Sequence, residues 1–238
     1  MIDIHCHILP DIDDGPSDIH ESIEMAKTAA SDGITKIVAT PHVKDTFPPL
    51  REIKDSIERL NQALKQNHIP VEILQGADVY ALLDPSLFKG YTINHTEYIL
   101  IEFPHSHFPI QAKEAIFRII TAGYRPIITH PERNPSIIRN PHLIIELLDD
   151  NVHLQITADS LTGAFGPDSQ ACASYLLSKD VVSFMATDAH SAHHRRPVLS
   201  EGLKAAEKII GKEKALRLVF TNPEAVINGE RIRNLESW

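Results

Sequence analysis

Short β-branched apolar runs alternate with longer amphipathic segments along most of this chain, and no other feature constrains its fold so strongly. The runs occupy about residues 2–7, 36–40, 71–75, 98–103, 126–130, 153–157 and 182–187, each bounded by turn residues as buried strands are. Between them, apolar positions recur at helical spacing over about 19–32, 50–66, 111–122, 141–150, 168–178 and 200–210. Gly33 and Gly123 stand where helices of this kind stop. Strands joined by helical crossovers pair in parallel, so the alternation predicts an α/β fold with a parallel sheet. Periodicity alone leaves a closed barrel and an open doubly wound sheet both available.

The residues at the strand ends favour the barrel. In parallel architectures the chemistry gathers where the strands end, and here almost every strand ends in a potential metal donor. The first ends in His5-Cys6-His7 and the second runs into Thr40-Pro41-His42. The third leads to Asp78, the fourth contains Glu102, the fifth reaches His130-Pro131-Glu132-Arg133, and the seventh ends in Asp188-Ala189-His190. Residues two apart on a strand share a face, so His5 and His7 can grip one ion, and Asp188 and His190 have the same spacing. A single His-x-His at a strand end is more often structural. A whole set at one end of successive strands is costly to bury without cations. Mixed imidazole and carboxylate donors suit Zn, Fe or Mn.

Other polar residues carry bland readings. His20, His68, His95, His142 and His153 read as surface or ordinary polar residues. His105 and His107 lie between Pro104 and Pro109, where a structural role is favoured. His193 and His194 either border the pocket or are solvated. Asp13-Asp14-Gly15 is good turn chemistry as well as a possible donor. Arg133 and Arg195, close to the donors in an otherwise acidic chain, suggest anion recognition, because a guanidinium matches phosphate.

Composition closes off several classes. The 238 residues carry 32 acidic and 23 basic side chains, a net charge of -9, which does not attract nucleic acid or an anionic membrane. Two cysteines are too few for a disulfide framework, and neither has an Arg six positions on, as a thiol-dependent phosphatase loop requires. No basic leader or membrane-length apolar run is present, so a cytoplasmic protein without membrane insertion is expected. No linker or repeat divides the chain, and 1–238 is read as a single catalytic domain. Residues 231–238 offer no functional reading, Trp238 included, and the oligomeric state stays open.

The motifs His5-x-His7, Thr40-Pro41-His42, Ile101-Glu102-Phe103-Pro104, His130-Pro131-Glu132-Arg133 and Asp188-Ala189-His190 resemble those of the polymerase and histidinol phosphatase (PHP) superfamily. Within it, the opening Met-Ile-Asp-Ile-His-Cys-His-Ile-Leu-Pro and the following Asp-Asp-Gly look most like the bacterial manganese-dependent protein-tyrosine phosphatases of capsule and exopolysaccharide operons. The resemblance runs to about residue 200. It implies a distorted seven-stranded (β/α)7 barrel holding up to three ions, Mn first, with Fe or Zn as alternatives. His5, His7 and Asp188 would hold one ion, Glu102 and His130 a second with Asp78 bridging, and Asp14, His42 and His190 a third. Arg133 and Arg195 match the family's phosphate-binding arginines, and the ion near His42 and His190 would position the phosphate or assist the leaving oxygen.

Three positions depart from the pattern: Asp78 stands where Glu is usual, Val43 where a second His is common, and the loop 44–49 is unlike the usual one. The implied activity is hydrolysis of phosphotyrosine on a protein, an autophosphorylating bacterial tyrosine kinase that controls polysaccharide export. The alternatives are a small-molecule phosphate esterase of the histidinol-phosphatase kind on the same site, and a non-catalytic phosphopeptide binder.

Overall fold

A computed structural model describes residues 1–232; Trp238 lies outside the described residues. Its strands are β1 (Ile2–Cys6), β2 (Lys36–Ala39), β3 (His42–Val43), β4 (Glu72–Gln75), β5 (Asp78–Tyr80), β6 (Tyr98–Glu102), β7 (Arg125–Thr129), β8 (His153–Thr157) and β9 (Phe184–Ala186). The helices are α1 (Ile19–Ser31), α2 (Leu50–Gln66), α3 (Ala112–Thr121), α4 (Pro135–Arg139), α5 (His142–Ile145), α6 (Ala158–Thr162), α7 (Pro167–Ser178), α8 (Ser200–Ile210), α9 (Lys212–Arg217) and α10 (Thr221–Ile227).

Every ladder between these strands is parallel, in the orders β1-β2-β4 and β3-β5-β6-β7-β8-β9. A bridge between Cys6 and Ala189 links the two sheets, with His7 N donating to Ala189 O at 2.8 Å and Asp188 N to His5 O at 2.8 Å. The result is a distorted α/β barrel.

Nine strands are assigned among the described residues where seven runs were read, because two staves are broken. Thr40-Pro41 separates β2 from β3, and Pro41 has no N–H to donate to a ladder. Gly76-Ala77 separates β4 from β5; a Cβ on Gly76 would sit 2.5 Å from Val38 Cγ1, so only glycine allows this approach. Pairing resumes at once, with Asp78 N donating to Pro41 O at 3.1 Å and His42 in register with Asp78. The breaks carry His42 and Asp78 side by side to the barrel mouth.

Alternation along the strands divides the apolar residues into two clusters. Ile2, Ile4, Val38, Tyr98, Leu100, Ile127, Phe184 and Ala186 form one, while Ile37, Ile99, Ile101, Ile128, Leu154, Ile156 and Met185 join the larger one with helix residues such as Ile53, Leu60 and Leu64. Following the first face along β6 leads from Tyr98 and Leu100 to Glu102, and along β7 from Ile127 to Thr129, so the same face becomes polar towards the mouth. In β1 the register shifts between Asp3 and Cys6. Such a bulge reverses which face later side chains take, so Ile2 and Ile4 join the apolar cluster while His5 and His7 turn to the donor site.

The helices at 19–32, 50–66, 111–122, 168–178 and 200–210 are found within a residue at each end. Gly33 and Gly123 follow α1 and α3 with φ of 86° and 92°, the left-handed conformation of a helix stop. The segment 141–150 is not one helix. It holds the short α5 and then bends, because Asp149 Oδ1 accepts from Asn151 N at 2.7 Å and Val152 N at 3.1 Å, an Asx turn that feeds β8. The short α4, α6, α9 and α10 were not legible, being too brief to show a helical period. Among the described residues no helix is long and apolar enough to cross a membrane.

Candidate metal centre

His5 Nε2, His7 Nε2 and Asp188 Oδ1 form a nearly equilateral triangle with sides of 3.3, 3.4 and 3.4 Å. An ion with bonds of about 2.1 Å holds neighbouring donors roughly 3.0–3.4 Å apart. Other donors crowd round this triangle. Asp14 Oδ1 lies 3.3 Å from His190 Nε2 and 3.7 Å from His42 Nε2. Asp78 Oδ2 is 3.5 Å from His42 Nδ1 and 3.8 Å from His5 Nε2, and Glu102 Oε1 is 3.4 Å from His130 Nε2. All nine donors read from the sequence therefore meet at the barrel mouth, in overlapping groups able to hold an ion.

The far side of three imidazoles is already occupied. His5 Nδ1 faces Gln155 Oε1 at 2.9 Å, His7 Nδ1 faces Asp13 Oδ2 at 2.6 Å, and His190 Nδ1 faces Asp188 O at 3.0 Å. Each partner is an acceptor, so each Nδ1 carries the hydrogen and each Nε2 is left facing the cluster. Asp78 Oδ2 is buried without a hydrogen-bond partner. Converging nitrogens and an orphan carboxylate oxygen are what a divalent cation satisfies, so the residues present fit one.

Electrostatics point the same way. Burial lowers the His5 pKa despite Asp188 and Asp78, and burial with Arg133 holds His130 well below its usual range. Burial opposes protonation of His7, but Asp13 and Asp188 outweigh it and raise the pKa to about 10, so a cation entering there displaces a proton. Burial would raise Asp188, yet His5, Arg133 and His7 keep it ionised. His130 and Asp188 take φ of 33° and 50°, a conformation uncommon outside glycine and concentrated at functional sites.

Arg133 Nη2 and Arg195 Nη2 both reach Asp188 Oδ2, at 2.6 and 2.5 Å. Their Nε atoms are buried and have no hydrogen-bond partner. Two guanidiniums with unused donors beside a cluster of potential metal donors have the chemistry to receive a tetrahedral anion.

Three residues outside the nine donors touch them. Asp13, taken with Asp14 as turn or donor, orients His7 and also accepts from His42 N at 3.1 Å. Gln155 carried no signal at all. His105, read as structural, puts Nε2 2.9 Å from Glu102 Oε1, and its ring stacks on that of His130 at 5.5 Å and 11°; its His-x-His spacing was the available clue. His20, His68, His95 and His142 are exposed, as are His193 and His194. His153, expected to be a surface or ordinary polar residue, is buried against Tyr98 and Phe184. Cys6 and Cys172 are buried free thiols; burial pushes Cys172 up to about 12, so neither supplies a thiolate at neutral pH.

A parallel α/β barrel with clustered imidazole and carboxylate donors at its mouth defines the class of fold. Solved structures of organophosphorus hydrolase from Deinococcus radiodurans (TM-score 0.60, 14% identity, 95% of this chain and 92% of that one) and the lactonase Lmo2620 from Listeria monocytogenes (0.61, 13%, 97% and 95%) share this fold. The particular family follows from residues 1–228, which match the family described as capsular polysaccharide synthesis, CpsB/CapC. The chain belongs to that family. It is 38% identical to tyrosine-protein phosphatase YwqE of Bacillus subtilis over 98% of this chain and 93% of the relative. It is 30% identical to tyrosine-protein phosphatase CpsB of Streptococcus pneumoniae over 98% and 100%. A structure from work on YwqE and CpsB, described there as unique metal-dependent tyrosine phosphatases, superposes with a TM-score of 0.91 at 36% identity, covering 98% of this chain and 96% of that one.

Proposed function

We propose that this protein is a metal-dependent phosphomonoesterase that removes phosphate from phosphotyrosine on proteins. The observation that carries the reading is the pair of buried, unpartnered Nε donors of Arg133 and Arg195 beside the His5–His7–Asp188 triangle. The full-length likeness to named tyrosine-protein phosphatases supports the substrate.

His5, His7 and Asp188 would hold one ion, Glu102 and His130 with Asp78 a second, and Asp14, His42 and His190 a third. Mn is the metal proposed, with Fe or Zn as alternatives that the same donors accept. Bound there, divalent ions supply Lewis acidity towards the phosphoryl oxygens and lower the pKa of water. Arg133 and Arg195 grip the non-bridging oxygens and favour the spread of charge over them as the ester bond breaks. Gln155 and Asp13 keep His5 and His7 turned towards the site. Water is the nucleophile, because both thiols are buried and protonated. The phosphorus–oxygen bond to the tyrosine ring breaks, giving phosphate and a phenol whose pKa near 10 makes it a tolerable leaving group. The whole chain is taken as one catalytic domain acting in the cytoplasm. The protein substrate proposed is an autophosphorylating tyrosine kinase, in keeping with the family's role in capsular polysaccharide synthesis.

The test is phosphate release from a phosphotyrosine peptide by metal-stripped protein, with and without added Mn. Release only with Mn is expected. Release independent of metal, or a strong preference for histidinol phosphate, overturns the reading.

A further inference from the structure

Phe165 lies in the loop between α6 and α7, half-buried, and held on both sides by unusual backbone. Gly163 and Gly166 flank it at φ of 90° and 88°, which a side chain would strain, and Pro167 follows as the first residue of α7. Gln170 Nε2 donates to Leu161 O at 2.9 Å, tying α7 back to α6. The loop is thus tethered at both ends, and the ring it carries meets both phosphate-binding arginines. Arg133 Cζ is 4.7 Å and Arg195 Cζ 5.9 Å from the ring centroid.

A ring face attracts guanidinium cations, which explains why one side chain braces both. An aliphatic side chain would support their stems equally well, so bracing alone does not require an aromatic residue. What an aromatic residue adds is a surface that packs favourably on another ring. Phe165 is only half-buried and lies beside the two guanidiniums that would hold the phosphate. In an aryl phosphate the ester oxygen is bonded directly to the ring, so a phosphate gripped by Arg133 and Arg195 carries its ring into this neighbourhood. An alkyl phosphate brings only a methylene there.

We infer that Phe165 is a specificity residue that contacts the substrate's ring and selects aryl over alkyl phosphates. The inference rests on the phosphomonoesterase reading above.

The test uses Mn-loaded protein and non-hydrolysable probes: phenylphosphonate, methylphosphonate and inorganic phosphate as competitive inhibitors. Wild type is expected to bind phenylphosphonate more tightly than methylphosphonate. Phe165→Leu, which keeps an apolar brace without a ring, should weaken phenylphosphonate by about three- to tenfold, the usual strength of an aromatic pair. It should leave methylphosphonate and phosphate nearly unchanged. Phe165→Tyr, which keeps the ring, should retain the preference. Equal weakening of all three probes by Phe165→Leu would show that the ring only braces the arginines, and overturns the inference. No change with any probe overturns it too. If wild type releases no phosphate from a phosphotyrosine peptide in Mn, the underlying reading has failed instead.

Discussion

Asp13 Oδ2 lies 2.6 Å from His7 Nδ1, and the same oxygen accepts from His42 N at 3.1 Å. One carboxylate, itself outside the nine assigned donors, therefore sets the orientation of one imidazole and the backbone position of another. Such an outer carboxylate fixes the tautomer of a metal-binding His and raises its basicity. Asp13→Asn is expected to weaken Mn binding by about 10- to 100-fold, measured by calorimetry on metal-stripped protein. Unchanged affinity would show that His7 holds its orientation without help.

His105 gives the Glu102–His130 pair a third donor, close enough to join the same ion. His105→Ala is expected to lower the affinity of one ion by at least about tenfold, read as metal retained per chain after dialysis at limiting Mn. A Co-substituted protein should also change its visible spectrum. If neither readout moves, His105 is only an ion-pair partner of Glu102.

Arg133→Ala or Arg195→Ala is expected to reduce kcat/KM on a phosphotyrosine peptide by roughly 10²–10³, the usual cost of losing one donor to a developing oxyanion. Arg133→Lys should restore little, because an ammonium cannot reproduce the planar fork. The metal content of each variant should match wild type. A proportional loss of metal would mean that the arginines act through Asp188.

His153, at the start of β8, is kept neutral by burial and by Arg125, which lower its pKa to about 4 against the opposing pull of Asp149 and Asp150. The unfolded chain takes up this proton near pH 6.5, whereas the folded protein resists it to about pH 4. Stability from this group is therefore complete above pH 6.5 and is lost as pH falls from 6.5 to 4. His153→Phe should remove roughly 3 kcal/mol of that acid-side loss, judged from denaturation curves of both proteins across pH 4–7. Parallel pH profiles would mean that His153 takes up its proton as readily in the folded protein as in the unfolded chain.

Legibility followed the reach of each signal. The donors at the strand ends could be read because a strand of known direction delivers its last residues to one rim, and His5-x-His7 and Asp188-x-His190 repeat the two-residue period. Helices α2 and α8 were found over the full spans read for them because more than two turns of amphipathic pattern leave a clear period. The segment 141–150 misled because apolar spacing says nothing about the Asx turn at Asp149 that ends the helix early. The contacts of His105 were not legible because its neighbours in the chain, Pro104 and Ser106, describe a loop, while its stacking partner His130 is 25 positions away.

The sequence by itself determined the alternating α/β order, the donor types and the absence of a reactive thiol motif, since each depends on residue identity and short-range spacing. Only the tertiary structure decided which oxygen faces which nitrogen. That Gln155 turns His5, that Asp13 rather than Asp14 turns His7, and that Phe165 braces Arg133 and Arg195 all depend on where separate strands and loops meet. Those meetings are set by barrel closure, by the bulge in β1 and by the breaks at Pro41 and Gly76. Each turns on ångström-scale packing between segments distant in the chain, which local patterns do not encode.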